Sequence, residues 1–302
     1  MSVNRKTKWS SEKTFELVNN LLMAGVVVVM LYPLLNQVAI SFSSNEAIMA
    51  GWVTVLPKGF NLKAYESVIK DRQFIRSFKN TVLLTLAQTV ISLIFTLLFA
   101  YPLSKKRLKG RNFIMSMLVF SMMFGTGGLI PNYMVIKKLG LINSYWSLIL
   151  PGTIGIWYTI VFKNFFQQLP ESLEEAARVD GAGVFTVFSV IVLPLSKPVI
   201  AAIGLFIAVG AWSTFFNALI YITDPNKKLL QVYLNSVLQA VNRPLSDEQQ
   251  AMAGTIQSVS NVINSDAVKA ACLICTILPI MAVYPFLQKY FVSGLMVGSV
   301  KG

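Results

Sequence analysis

Charge is missing from this chain in long runs. Six stretches, 17–45, 80–104, 112–136, 139–162, 198–223 and 270–288, contain no Asp, Glu, Lys or Arg. A helix crosses a bilayer core with about 18 or more predominantly apolar residues, and a charge at its centre costs about 2.5–3.5 kcal/mol on the insertion scale. The pattern therefore predicts an all-α, polytopic membrane protein with six transmembrane helices, at about 18–42, 80–103, 112–131, 143–162, 198–221 and 270–288. The next longest stretch, 249–265, is studded with Gln, Ser and Asn and does not read as lipid-soluble. This divides the chain into a leader at 1–16, a membrane domain at 17–290 and a tail at 291–302. A long loop lies at 163–197 on one side, and loops at 46–79 and 224–269 lie on the other.

The first apolar stretch follows Arg5, Lys6, Lys8 and Lys13, as a secretory signal would. It then runs on through Tyr32-Pro33-Leu34-Leu35 with no small-residue cleavage triplet, so it reads as a retained helix. With the N-terminus in the cytoplasm, 14 Lys and Arg fall inside and 11 outside, and Lys269 sits at the mouth of the sixth span. The sum is a weak bias. The tight loop holding Lys105, Lys106, Arg107, Lys109 and Arg111 is dense enough to place both termini inside.

Composition agrees with a membrane protein: of 302 residues, 55% are hydrophobic and 13% charged, and the mean hydropathy is +0.62. The net charge of +13 would suit a nucleic-acid binder if it covered a soluble surface. It is distributed among loops instead, so no nucleic acid is expected. The chain has no His, which excludes His-based metal sites and Ser-His or Cys-His nucleophile pairs. No carboxylate falls within the six stretches, so the usual group of an ion-coupled transporter is missing. Cys272 and Cys275 share a helix face and read as packing residues. No GxxxxGK[ST] phosphate loop is present, so the chain is not itself an ATPase.

The loop at 163–197 carries the sharpest local chemistry. Ser172 followed by Glu175 fits a capping box, and Glu171, Glu174 and Glu175 favour a helix N-terminus. Gly181 and Gly183 then permit a turn, predicting a short helix of about eight residues. Ala176 and Ala177 would let another protein approach its backbone closely.

Within this loop, Glu175-Ala176-Ala177, then Gly181 after three residues, Ile191 after nine more and Leu193-Pro194 after one, resembles the EAA motif of ATP-binding cassette importer permeases. The stretches 139–144, 165–170, 180–182 and 290–302 are similar to the carbohydrate subfamily, the tail to the second permease of maltose-type systems. The resemblance implies a type I importer permease fold. It implies a second, paralogous permease, two ATP-binding subunits and an extracytoplasmic solute-binding protein as partners, in a bacterial or archaeal cell membrane. No cofactor is expected on this chain, with ATP and Mg on the partner ATPases. The resemblance assigns ATPase coupling to Glu174, Glu175, Ala176, Ala177, Asp180, Gly181, Ile191, Leu193 and Pro194, and ATPase contact to Gly298, Val300, Lys301 and Gly302 in the tail. The cargo it implies is a carbohydrate, an oligosaccharide first. A permease for glycerol phosphate or a polyol, and an ATPase-independent channel or membrane scaffold, remain as alternatives.

Helix breaks within membrane stretches are tolerated chiefly where they face protein or water. Residues 125–128 with Asn132 and Tyr133, the Pro151-Gly152 pair, and Trp212, Ser213 and Asn217 are therefore the expected solute path, with packing through small residues as the competing reading. In the loop at 224–269, segments 229–241 and 249–263 are expected to form two helices at the outer face.

Overall fold

The computed structural model describes residues 5–124, 127–240 and 264–299. In chain order the elements are α1 (Arg5–Ser41), α2 (Asn45–Met49), α3 (Lys63–Lys70), α4 (Arg72–Ser104), α5 (Arg111–Phe124) and α6 (Leu129–Lys138). Next come α7 (Trp146–Ile149), α8 (Ile156–Gln168), α9 (Glu171–Val179), α10 (Val184–Thr186) and α11 (Leu193–Leu195). The last are α12 (Lys197–Trp212), α13 (Phe216–Tyr221), α14 (Leu230–Ala240) and α15 (Ser265–Ser299). Every regular element among the described residues is helical.

Three helical stretches can cross a bilayer unaided: Lys13–Ser41, Arg72–Ser104 and Ser265–Val283. Three bent pairs raise the number to as many as six: α5 with α6, the Trp146–Gly152 segment with α8, and the Val184–Leu195 run with α12. The second pair bends by 44° and the third by 80°. The stretch expected as the third span is thus divided between α5 and α6, with Gly127 and Gly128 at φ 72° and 90° before α6. The stretch expected as the fifth span holds α12 and α13, separated at residues 213–215. Of the two expected outer helices, α14 is present, and residues 249–263 lie outside the described residues. So do residues 1–4, Gly125, Thr126, Val300, Lys301 and Gly302.

The chain forms two compact units. The first joins residues 1–71 to 236–277. Its buried positions include Ala39, Ala47, Ala64, Val68, Ala267, Ala271 and Cys272. Phe42 stacks between Phe60 at 5.6 Å and Tyr65 at 4.8 Å. Residues 13–33 of α1 are exposed throughout and almost wholly apolar from Leu21 onward, as a lipid-facing helix requires.

The second unit joins residues 72–235 to 278–302 and is organised around α4. α8 and α12 pack against α4, and at Gly204 of α12 an added Cβ would lie 3.2 Å from the side-chain tip of Leu93 on α4. One apolar cluster gathers Leu97, Tyr101, Phe162, Phe166, Phe188 and Ile203 toward the C-terminal end of α4. A second gathers Leu84, Ile136, Leu148, Tyr221 and Leu229.

Candidate coupling surface

α9 starts where Leu169-Pro170 ends the preceding helix, with Pro170 as its N-cap residue. The Leu173 N–H donates to Pro170 O at 3.3 Å, the first bond of the new helix. Helix onset here is two residues earlier than the expected capping box requires. Ser172 is therefore already helical, no side chain caps the N-terminus, and Glu175 is exposed one turn further on. The expectation of a Ser172–Glu175 box is corrected accordingly. Glu171 and Glu174 still lie in the first turn, favourable to the helix dipole, and Arg178 lies in the last.

The helix ends in a Schellman motif. The Ala182 N–H donates to Ala177 O at 2.9 Å and the Gly181 N–H to Arg178 O at 3.0 Å, with Gly181 at φ 84°. Gly181 is thus the turn residue that its position implied, whereas Gly183 has an ordinary φ of −70°. Beyond it, α10, a π-helical turn at Val187–Val192 and α11 lead to the bend at Ser196, whose hydroxyl donates to Val192 O at 2.7 Å. Ile191 and Leu193 pack onto the cluster at the end of α4, while Pro194 is exposed.

One side chain pins α9 to the bundle. Glu174 is only 7% exposed. Its carboxylate is ion-paired with Lys105, just past the end of α4, lies 3.8 Å from Arg178, and accepts from the Tyr101 hydroxyl at 3.5 Å. The Lys105 ammonium also lies 4.8 Å from the centre of the Tyr101 ring, and that ring packs on Phe166 and Phe188 at 6.0 and 4.8 Å. Nearby, the Gln167 amide donates to Ser104 O at 3.2 Å. A buried carboxylate is sustained only by such pairing, so α9 is fixed to α4 through this group.

The opposite side of α9 is exposed among the described residues. Ala177 turns inward onto the apolar cluster, whereas Glu175, Ala176, Asp180 and Gly181 are exposed. Leu173, Ala176 and Val179 recur every third residue and so share a face. Val179 is 87% exposed, and Val184 and Phe185 beyond the turn are 64% and 73% exposed. An apolar strip of this kind, rimmed by Glu171, Glu175 and Asp180, has the character of a protein contact surface.

The expected solute-path residues lie on α6 (Asn132, Tyr133), at the end of α12 and just past it (Trp212, Ser213) and on α13 (Asn217). Tyr133 stacks on Tyr221 at 6.2 Å, and Trp212 packs edge-on to Phe78 at 5.7 Å. Asn132 is half-buried, and Ser213 and Asn217 are exposed. Gly298 lies in the last turn of α15.

Two features escaped the reading of the sequence. Two partners of Glu174, Tyr101 on α4 and Lys105 just past its end, lie 73 and 69 residues away along the chain, and nothing local announces them. The other was legible as a spacing: Ser77, Thr81, Thr85, Gln88, Thr89, Ser92 and Thr96 form a polar stripe along α4. Thr81 Oγ1 accepts from the Leu230 N–H at 2.8 Å and the Ser92 hydroxyl donates to Gly152 O at 2.8 Å. Thr85 Oγ1, Gln88 Oε1 and Thr89 Oγ1, in the middle, are buried without a hydrogen-bond partner among the described residues.

The described chain is thus helical, with up to six membrane spans, and carries a short helix, α9, that is anchored on one side and exposed on the other. The chain belongs to the family of binding-protein-dependent transport system inner membrane components, which it matches over residues 83–297. It is 43% identical over 290 residues to protein LplC of Bacillus subtilis (strain 168), covering 96% of each chain. It is 37% identical over 282 residues to the polygalacturonan/rhamnogalacturonan transport system permease protein YtcP of the same organism, covering 93% of this chain and 96% of that one. Among solved structures it resembles a chain of a bacterial ABC transporter involved in the import of the acidic polysaccharide alginate, with TM-score 0.84, 31% identity, and 96% and 99% coverage. A second alginate transporter chain, 16% identical with TM-score 0.56, shares the fold. The protein is a permease of an ABC importer, a transport component and a multi-pass membrane protein.

Proposed function

We propose that this chain forms half of the translocation pore of an ATP-driven importer whose cargo is an oligosaccharide, and that α9 is the element through which a partner ATPase drives it. The observation that carries the reading is the two-sidedness of α9. Glu174 and Ala177 tie one side to α4 and its cluster, while Leu173, Ala176, Val179 and Phe185 leave the other side apolar and uncovered. A force applied to the uncovered side is transmitted to α4, the longest helix of the second unit, through a buried ion pair rather than through a flexible loop. The sugar cargo is supported by relatives named for polygalacturonan/rhamnogalacturonan, arabinooligosaccharide and galactooligosaccharide transport.

The remaining assembly follows from the same reading: a paralogous permease, two ATPases carrying ATP and Mg, and an extracytoplasmic binding protein, with α9 and both termini in the cytoplasm. No cofactor is assigned to this chain. Copurification with an ATPase subunit, followed by a double-mutant cycle between Glu175 and a basic residue of that subunit, tests the coupling surface. A coupling energy of about 0.5 kcal/mol or more in complex stability supports the contact. Purely additive effects remove it, and sugar transport by this chain without any ATPase overturns the whole reading.

A further inference from the structure

The end of α4 remote from α9 carries a cluster of cations that the coupling surface does not use. Arg72, Arg76 and Lys79 follow one another at spacings of four and three residues, so they line one face, and the first turn of α4 holds no acidic residue. Like charges at these spacings repel, and cations at a helix N-terminus are disfavoured by its dipole.

A second cationic segment is stitched to this helix end. Gln73 donates to Pro225 O at 2.7 Å, Arg76 to the Asn226 side chain, and Asn80 to Asn226 O at 2.9 Å and Lys228 O at 3.1 Å. These bonds bring Lys227 and Lys228 to the same place. The Lys227 ammonium donates to Asn143 O at 2.8 Å, in the segment that follows the Lys137-Lys138 pair closing α6. Of the nearby carboxylates, Asp224 accepts from the Asn226 N–H at 2.9 Å, and Asp71 directly precedes Arg72. Among the described residues, none of these cations lies within ion-pair distance of a carboxylate.

The 29 residues from Arg76 to Lys105 extend about 43 Å along a helix, longer than the bilayer core of about 30 Å. The cluster therefore emerges on the membrane face opposite α9. With α9 in the cytoplasm it lies outside, where Lys and Arg work against the insertion bias. Neither helix stability nor topology accounts for it.

We propose that this cluster is an entry site for a carboxylate-bearing oligosaccharide, a uronate chain rather than a neutral sugar, an inference that rests on the permease reading above. The planar guanidinium groups of Arg72 and Arg76 are suited to bidentate pairing with carboxylates. They lie one helical turn apart, a separation on the scale of one sugar unit. Lys79, Lys227 and Lys228 add a field that draws a polyanion to the mouth.

The test uses the assembled transporter in proteoliposomes loaded with ATP, with trigalacturonate and its fully methyl-esterified, neutral form as probes. The expected result is a ratio of acidic to neutral uptake of about fivefold or more, which falls as salt is raised from about 50 mM to about 300 mM and the charges are screened. Arg72→Gln with Arg76→Gln should lower that ratio by about threefold or more, and Arg76→Lys should restore part of it. Lys79→Gln, which removes charge but no hydrogen bond seen among the described residues, should lower the ratio without altering recovery of the complex. Equal uptake of both probes, or variants that lose both equally, overturns the inference; the second outcome is the signature of docking by the binding protein or anionic lipid. Uptake of the neutral probe alone removes the acidic class and leaves the permease reading intact. Uptake of neither, with no stimulated ATP hydrolysis, removes the oligosaccharide reading with it.

Discussion

At the residue scale, the two neighbouring glutamates of α9 have opposite fates. Glu175, the residue carried by the motif, is exposed, whereas Glu174 is buried against Tyr101, Lys105 and Arg178. Removing one partner of such a pair leaves the other charge uncompensated in a poorly hydrated place. Lys105→Gln is therefore expected to destabilise the packing of α9 by about 1–3 kcal/mol, while Glu175→Gln should cost under about 0.5 kcal/mol of stability. Thermal unfolding of the purified permease followed by helical circular dichroism separates the two. A double-mutant cycle of Lys105→Gln with Glu174→Gln should show coupling of about 0.5 kcal/mol or more, and additivity would mean that the pair does not anchor α9. Gly181 is the other residue whose chemistry is fixed by its backbone. At φ 84° a side chain is strained, so Gly181→Val is expected to cost about 1–2 kcal/mol and to lower sugar-stimulated ATP hydrolysis while membrane insertion is retained.

At the element scale, α4 links the two ends of the second unit, and its polar stripe has an uneven energetic logic. Thr81, Ser92 and Thr96 bond to the backbone of neighbouring segments, which is worth a modest amount in a membrane. Thr85 and Thr89 bury hydroxyls with no partner among the described residues, which is a cost. Thr89→Val, nearly the same shape without the hydroxyl, is thus expected to leave unfolding unchanged or to raise stability by up to about 1 kcal/mol. A clear loss of stability in the same unfolding assay would show that the hydroxyl is bonded after all. Gly204→Leu should do the reverse. Even a Cβ there lies 3.2 Å from the tip of Leu93, so a leucine overpacks this contact and is expected to cost about 1–3 kcal/mol, seen as loss of monodisperse protein in detergent.

At the scale of the whole molecule, topology is the decisive property. In a background carrying Cys272→Ser and Cys275→Ser, Glu175→Cys is expected to react with a membrane-impermeant maleimide only from the cytoplasmic side, and Lys79→Cys only from outside. Labelling of both from the same side would contradict the helix-length argument that separates them. Deleting residues 297–302 should impair sugar-stimulated ATP hydrolysis and leave insertion intact, as a tail that reaches the ATPases requires; unchanged hydrolysis would remove that role.

Taken by itself, the sequence determined the solvent and the class of fold. Six charge-free stretches dictate helices in lipid because the bilayer offers backbone groups no other partner, and the Gly181 turn was legible because that constraint is local. What it did not contain was contact between distant segments. Only the tertiary structure chose Glu174 over Glu175 as the buried anchor, because Lys105 comes from the end of another helix. It broke the expected third and fifth spans at residues 127–128 and 213–215, and it brought Lys227 and Lys228 beside Arg76. Burial and charge proximity are properties of packed helices, and a pattern along one chain specifies which face of a helix is apolar without specifying what meets it.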